Sequence, residues 1–245
     1  MNRTRLAARN TVASVFFSVL NFALGIVELK LFLDAYGDAV NGLIQTGNQA
    51  LSYLALIESG ICAAFLFHLY KPLAENRYDA VSSLYKGFTR SMRTVVMIML
   101  GVALMISVIL PLGIQDKRVS YQSSMLILAL ISLRYIAPYY FSLAPKYMII
   151  AREKRYKAEI LDGIQTALVF SINIAVLIFI KPEVHLLLVS NALVVIGIGL
   201  AYRLTMRREY KGLLTEHVKA DMTPTKMTGN LMAHNVSGLA FNNSS

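Results

Sequence analysis

Six long runs of mostly apolar residues follow one another along the chain, separated by short polar and basic segments. Each run reaches the roughly 20 residues that a helix needs to cross a hydrocarbon core about 30 Å thick. The runs are Thr11–Leu33, Leu43–Tyr70, Thr94–Leu112, Tyr121–Phe141, Ala158–Ile180 and Val184–Tyr202. Because lipid offers no partner for backbone N–H and C=O groups, each run must satisfy those groups internally, as a helix does. The pattern therefore predicts an all-α membrane protein.

These runs divide the chain into three predicted parts. Residues 1–205 form a six-transmembrane-helix bundle, and residues 206–228 form a cytoplasmic basic linker. From 229 to 245 a fairly apolar helical pattern resumes, but too few residues follow to cross a membrane. We expect 229–245 to be the truncated start of a seventh transmembrane helix, and the sequence to be a fragment.

The segment before the third run also has helical periodicity. Its apolar residues recur every three or four positions, with charged residues on the other side, at Tyr78, Val81, Tyr85, Phe88 and Met92. This pattern indicates an amphipathic helix lying along the cytoplasmic surface of the membrane. An ordinary solvated connector is the alternative.

Composition supports the membrane prediction, and the distribution of charge orients the chain. Hydrophobic residues make up 56% of the chain and charged residues 16%, compared with about 25% charged residues in soluble domains. The net charge of +10 reflects Lys and Arg residues that cluster in alternate loops, as the positive-inside rule describes. We therefore expect a multi-pass membrane protein with a cytoplasmic amino terminus, and no nucleic-acid partner.

Four of the six runs carry a polar stripe on one helical face. The stripes comprise Ser14, Ser18, Asn21, Gly25 and Glu28 in the first run; Asn41, Gln45, Asn48, Ser52 and Ser59 in the second; Ser124, Tyr135, Tyr139 and Ser142 in and just after the fourth; and Asp162, Thr166 and Asn173 in the fifth. Small and hydroxyl residues alone would be typical of helix packing. Repeated Asn, Gln and carboxylate side chains favour a hydrated cavity, with packing alone as the alternative.

Two charged residues of opposite sign lie deep within the runs. Glu58 lies 12 residues before Tyr70, and Arg134 lies 12 residues before Lys146, which mark the inner ends of the second and fourth spans. Both are therefore about 18 Å above the inner boundary. Charges at that depth are costly unless paired or hydrated, so a Glu58–Arg134 pair is predicted. The pair acts either as a clamp between helices or in a substrate or ion pathway, and the sequence leaves both open.

Candidates for the substrate or ion pathway are Glu58, Arg134, Asn21, Glu28, Gln45, Gln49, Asp162 and Asn173. For Asp162 the alternative is a salt bridge with the nearby basic cluster, and for Glu28 a position near the outer boundary beside Lys30. No enzyme is predicted, because the motifs of metalloproteases, nucleotide-binding loops and dithiol sites are missing from the sequence. No cofactor or metal site is predicted either.

Several stretches resemble the Wzx-type polysaccharide or O-antigen flippases of the multidrug/oligosaccharidyl-lipid/polysaccharide (MOP) exporter superfamily. They are "NFALGIVELKLFLDAYGDAVNGL", "LSYLALIESGICAAFLFHLYKPLAENRYDAVSSLY", "YMIIAREKRYKAEI" and "AHNVSGLAFNNSS". The resemblance implies the amino-terminal half of two six-helix bundles around a central cavity. It also implies alternating-access export of undecaprenyl-pyrophosphate-linked oligosaccharide repeat units, with basic cavity residues receiving pyrophosphate and acidic sugars. Arg134 is the one clear cation deep within a run, so a strongly cationic cavity is not expected from this half. The resemblance also implies a bacterial inner (plasma) membrane.

The resemblance also implies partners. These are the lipid-linked oligosaccharide, membrane lipids, a missing C-terminal bundle or a second copy, and possible contacts with a polysaccharide polymerase and glycosyltransferases. Two other functions stay open: a cation-coupled drug or metabolite antiporter of the same superfamily, and a non-transporting scaffold for a glycosyltransferase complex. In the antiporter, Glu58 or Asp162 would be the coupling carboxylate.

Overall fold

The computed structural model describes residues 3–113, 119–180, 183–215 and 217–224, with side chains for all of these except 3–10, 13 and 54–59. This part of the chain is helical and contains no strand, as predicted. The helices are α1 (Arg3–Ala74), α2 (Tyr78–Gly113), α3 (Tyr121–Phe141), α4 (Leu143–Ala151), α5 (Arg155–Phe179) and α6 (Val184–Glu209). The chain is thus an all-α membrane protein.

Five helices in the described residues are long and apolar enough to cross a membrane. They are Ser14–Tyr53 within α1, together with α2, α3, α5 and α6, and Gly60–Ala74 is a shorter apolar helix. The second predicted span, Leu43–Tyr70, is helical but includes 54–59, whose side chains lie outside the description. The predicted count of six crossings is therefore not confirmed, whereas a multi-pass membrane protein is.

The outward faces of these helices are apolar, as a lipid environment requires. Met97, Leu104 and Met105 of α2 are all more than 60% exposed. The opposite face of α2 carries the buried Met92, Met99 and Ala103. The third apolar run therefore presents one apolar face outward and packs the other into the bundle.

The loop predicted between the first two runs is reduced to a single residue. α1 continues through 34–42 and departs from helical geometry only at Gly37, with φ 76° and ψ −178°. A side chain with a Cβ is sterically excluded from that backbone region, so Gly is the residue that permits the kink. α1 therefore has two arms, residues 3–36 and 38–74.

The predicted amphipathic surface helix is not a separate element. It forms the first half of α2, which continues without a break into the third apolar run over 36 residues. A helix of that length rises about 54 Å, which exceeds the hydrocarbon thickness. The apolar face of this extension packs inward, and Phe88 stacks on Phe65 with ring centroids 4.0 Å apart.

The predicted linker 206–228 begins as helix and continues as a segment docked on α2. α6 ends at Glu209, and the described residues of 211–224, which we call the strap, run beside the first half of α2. Ser83 donates from its hydroxyl to the Lys219 carbonyl over 2.5 Å and accepts at its carbonyl from the Asp221 amide over 3.0 Å. Hydrogen bonds from the Thr223 hydroxyl and amide hold the pKa of Asp221 below its usual value. The predicted seventh-helix start, 229–245, lies outside the described residues.

One end of the bundle gathers the turns that the sequence marked as basic; we call it the basic end. Here Lys154 and Lys157, at the start of α5, both bind the Glu209 carboxylate at the end of α6. The Tyr210 hydroxyl donates to the Met148 carbonyl of α4 over 2.9 Å. These contacts join α4, the start of α5 and the end of α6 at the basic end.

Candidate functional site

Two adjoining cavities lie between the helices and share Asn48 and Arg134 in their walls. The first, the amide cavity, has a volume of about 320 Å³, and its polar lining is Glu28, Asn41, Gln45, Asn48, Arg134, Asn173 and Asn191. The second, the tyrosine cavity, has about 540 Å³, and its polar lining is Asn48, Arg134, Tyr135, Tyr139, Ser142, Lys146, Asp162, Gln165 and Tyr202. Polar stripes from the two arms of α1 and from α3 and α5 thus meet in one continuous polar region.

Three residues from α1, α3 and α5 lie together in the wall of the amide cavity. Asn173 of α5 donates from Nδ2 to Glu28 Oε1 of α1 over 2.5 Å. Arg134 of α3 lies near enough for its positive charge to interact with the Glu28 carboxylate. Gly25, one turn before Glu28, packs against the Phe170 ring of α5, which would lie 3.4 Å from a Cβ at this position. The acidic side chain therefore has both a hydrogen-bond donor and a cation beside it.

Several buried polar atoms in this region have no partner in the described part of the chain. They are Asn173 Oδ1, both Asn191 side-chain polar atoms, and Ser142 Oγ. Asn173 is 2% exposed and Asn191 is 1% exposed. Buried polar atoms in folded proteins are almost always hydrogen-bonded, to protein or to water. Because these atoms belong to residues that line a cavity, they are suited to hold water or a polar ligand.

An ion pair stands toward the basic end of the tyrosine cavity. Lys146 Nζ of α4 lies 2.6 Å from Asp162 Oδ2 of α5. The Tyr202 hydroxyl of α6 lies 2.7 Å from Asp162 Oδ1 and 2.9 Å from the Ala158 carbonyl. Asp162 thus connects three helices. The salt bridge expected for this residue is present, and its partner is Lys146.

The structure brings together some of the predicted candidates and separates others. Glu28, Gln45, Arg134 and Asn173 line the amide cavity, and Asp162 lines the tyrosine cavity. By contrast, Gln49 is exposed, and Asn21 is half-buried outside both linings. Whether any of these residues acts on a substrate stays a prediction.

The predicted Glu58–Arg134 pair lies outside the description, because Glu58 is among residues 54–59. The carboxylate that interacts with Arg134 among the described residues is Glu28. Glu28, for which the sequence offered a position near the outer boundary beside Lys30, lines the amide cavity and accepts a hydrogen bond from Asn173. Its depth in the membrane stays a prediction.

Sequence reasoning missed four polar residues of the cavity walls, namely Asn191, Lys146, Gln165 and Tyr202. Asn191 is the one Asn within the otherwise apolar α6 run, which was a usable signal. Lys146 looked like an ordinary basic loop residue, and Tyr202 like the boundary of the last run. Neither has a periodic pattern that points to a cavity, because their positions there depend on how α4 and α6 pack on α5.

The described residues contain no group of three or more His, Cys, Asp and Glu side chains placed to hold a metal ion. Comparison of the chain with protein-family models, with curated proteins and with solved structures finds no match. The function of the two cavities therefore has to be inferred from their chemistry and from the sequence resemblance.

Proposed function

We propose that this helical bundle forms part of a pathway that exports undecaprenyl-pyrophosphate-linked oligosaccharide repeat units across a bacterial plasma membrane by alternating access. The observation that carries the proposal is the continuous polar region, about 320 and 540 Å³ in its two parts, inside a bundle whose outer faces are apolar. Ligand pockets in proteins commonly have volumes of about 300–1,000 Å³, so this region can accept a group the size of one or two sugars.

Unpaired polar atoms favour transport over a purely structural role for these residues. Polar residues that only hold helices together hydrogen-bond to one another, whereas Asn173 Oδ1 and the Asn191 amide have no such partner among the described residues. A polar solute that enters the cavity can form hydrogen bonds with such atoms. Lipid-exposed apolar faces around them supply the hydrophobic exterior that a membrane transporter needs.

The substrate assignment rests on the resemblance to Wzx-type flippases. In a flippase of this type, the basic end faces the cytoplasm, with the amino terminus on the same side. A second bundle or a second copy of the chain completes the cavity. Polysaccharide polymerase and glycosyltransferases are the partners proposed on either side of the membrane, since they consume and supply the transported repeat unit.

A cation-coupled drug or metabolite antiporter of the same superfamily is the second candidate. The observation that favours it is the Glu28 carboxylate, which faces the amide cavity and is hydrogen-bonded by Asn173. A non-transporting scaffold is a third, and it predicts that changes to cavity residues alter stability alone.

The deciding experiment compares cells that lack the gene with cells that carry it back in wild-type or altered form. Undecaprenyl-linked saccharide should accumulate on the inner leaflet without the gene and clear with the wild type. Asn173→Ala should leave most of the accumulation in place. Ser171→Ala, on the exposed face of the same helix, is the control and should clear it as the wild type does.

Other outcomes separate the alternatives. Normal saccharide export in the deletion strain, together with raised drug or metabolite sensitivity, would replace the flippase by the antiporter. Full clearance by Asn173→Ala at normal protein level would indicate that the cavity does not carry the substrate.

A further inference from the structure

The charges that line the two cavities are balanced by sign. Their charged lining residues, within the described side chains, are Glu28 and Asp162, which are acidic, and Arg134 and Lys146, which are basic. Each cation already faces a carboxylate: Lys146 lies 2.6 Å from Asp162, and Arg134 interacts with Glu28. The cavity lining therefore offers an anionic ligand no unneutralised cation among the described side chains.

An anionic group that approached Lys146 or Arg134 would meet the Asp162 or Glu28 carboxylate in the same cavity wall. At Lys146 it would compete with Asp162, which already holds the ammonium group in an ion pair at 2.6 Å. The incoming anion would also lie beside that carboxylate, and like charges at short range repel. The lining thus disfavours a uronic acid or another acidic sugar.

What the lining offers instead is neutral hydrogen-bonding capacity. Asn173 and Asn191 hold buried amide atoms without partners among the described residues, and Ser142 holds an unpartnered hydroxyl oxygen. An amide presents both donor and acceptor groups, and a sugar hydroxyl also donates and accepts. Tyr135, Tyr139 and Tyr202 add flat apolar faces with polar rims to the second cavity. Uncharged polyhydroxylated molecules match this combination.

We propose that the saccharide moiety received by these cavities is uncharged, and that Asn191 is one of its hydrogen-bonding residues. This inference rests on the proposed flippase function and specifies the substrate class for it. The pyrophosphate of the lipid carrier then stays outside the two cavities.

The test uses the purified protein in proteoliposomes with two probes. Both are undecaprenyl-pyrophosphate-linked trisaccharides, identical except that one glucose of the neutral probe is glucuronic acid in the acidic probe. The initial rate of transfer between leaflets is measured for each probe alone and in competition. We expect the neutral trisaccharide to move faster by about tenfold or more, because the acidic one is repelled by Glu28 and Asp162 and must compete with them for the cations.

A variant pair links the preference to the cavity. Asn191→Ala removes the unpartnered amide without placing a charge and should slow the neutral probe by about tenfold, as loss of one or two hydrogen bonds predicts. Thr46→Ala is the control, since Thr46 is exposed and its hydroxyl donates to the Gly42 carbonyl of its own helix. The melting temperature of Asn191→Ala in detergent shows whether the variant is folded.

Each result bears on a different claim. Transfer of the acidic probe at an equal or higher rate would overturn the inference and leave the flippase function standing, as would an unchanged neutral rate in folded Asn191→Ala. Transfer of neither probe above protein-free liposomes would refute the proposed function and this inference with it.

Discussion

At the scale of single residues, the neighbours of Glu28 show how a carboxylate inside the bundle is stabilised. They are a hydrogen-bond donor, Asn173, and a cation, Arg134. The sequence matched Arg134 with Glu58 because both lie at the same depth from the inner boundary. The side chain of Glu58 lies outside the description, so that pairing stays a prediction. Among the described side chains, Glu28 of α1 is the carboxylate whose charge acts on Arg134, and Asn173 donates a hydrogen bond to Glu28.

This contact predicts the result of a double-mutant cycle. Glu28→Gln and Arg134→Gln should each lower the free energy of unfolding by about 1–3 kcal/mol, because each leaves the opposite charge uncompensated in the bundle. The double variant should cost less than the sum of the two, since no unpaired charge remains. Thermal unfolding in detergent, followed by circular dichroism, measures all four proteins. Strictly additive losses would show that the two charges do not interact.

At the scale of helices and segments, α2 and the strap form a unit that hydrophobic periodicity did not predict. The strap lies so close to α2 at Gly87 that a Cβ there would overlap the Asp221 carbonyl. Lys86 Nζ also donates to the Val218 carbonyl over 3.2 Å, and the Thr215 amide donates to Ser82 Oγ over 2.8 Å. The segment predicted as a linker is therefore fixed to the helix by backbone and side-chain hydrogen bonds.

Gly87→Ala should detach the strap. Because the obstructing group is backbone, it cannot rotate away as a side chain could, and the strap must shift to admit the methyl group. Trypsin should then cleave after Lys219 faster by about tenfold or more, since cleavage follows the population of the open segment. Gly101→Ala on the same helix is the control, as nothing lies within 4 Å of its Cβ position. Equal cleavage rates in the two variants would contradict the close packing of the strap.

At the scale of the whole molecule, charged contacts are concentrated at one end of the bundle, the basic end. The contacts of Lys154, Lys157 and Glu209, together with the strap, gather the start of α2, the α4–α5 turn and the end of α6 at the basic end. At the other end, the Tyr121 hydroxyl donates to the Val108 carbonyl over 3.2 Å and holds α3 against α2. This arrangement agrees with the positive-inside prediction, whose orientation stays a prediction.

Cysteine labelling in intact cells tests that orientation. The single cysteine, Cys62, is buried and can be replaced by Ala to give a silent background. Cysteines at the exposed Arg77 and Arg155 should resist a membrane-impermeant maleimide until the cells are opened, whereas cysteines at the exposed Asp34 and Glu183 should react at once. Labelling of all four sites in intact cells, or of the two arginine sites alone, would contradict a cytoplasmic basic end.

Sequence by itself determined the helical class, the bounds of α3 and the polar face of each cavity-lining run except α6. The reason is physical: lipid forces an apolar run into a helix, and a helix turns each periodic set of residues into one face. The spacing of Asn41, Gln45 and Asn48 is therefore enough to group them on one face.

Only the tertiary structure decided which faces meet. It placed Arg134 and Glu28 in the wall of one cavity, joined Lys146 to Asp162 in an ion pair, brought Asn191 and Tyr202 into the cavity walls, and docked the strap on α2. Hydrophobic periodicity specifies how a helix faces its surroundings, but in lipid several neighbours satisfy the same apolar face equally well. The choice among them depends on shape and on hydrogen bonds between residues far apart in the chain, which no local pattern encodes.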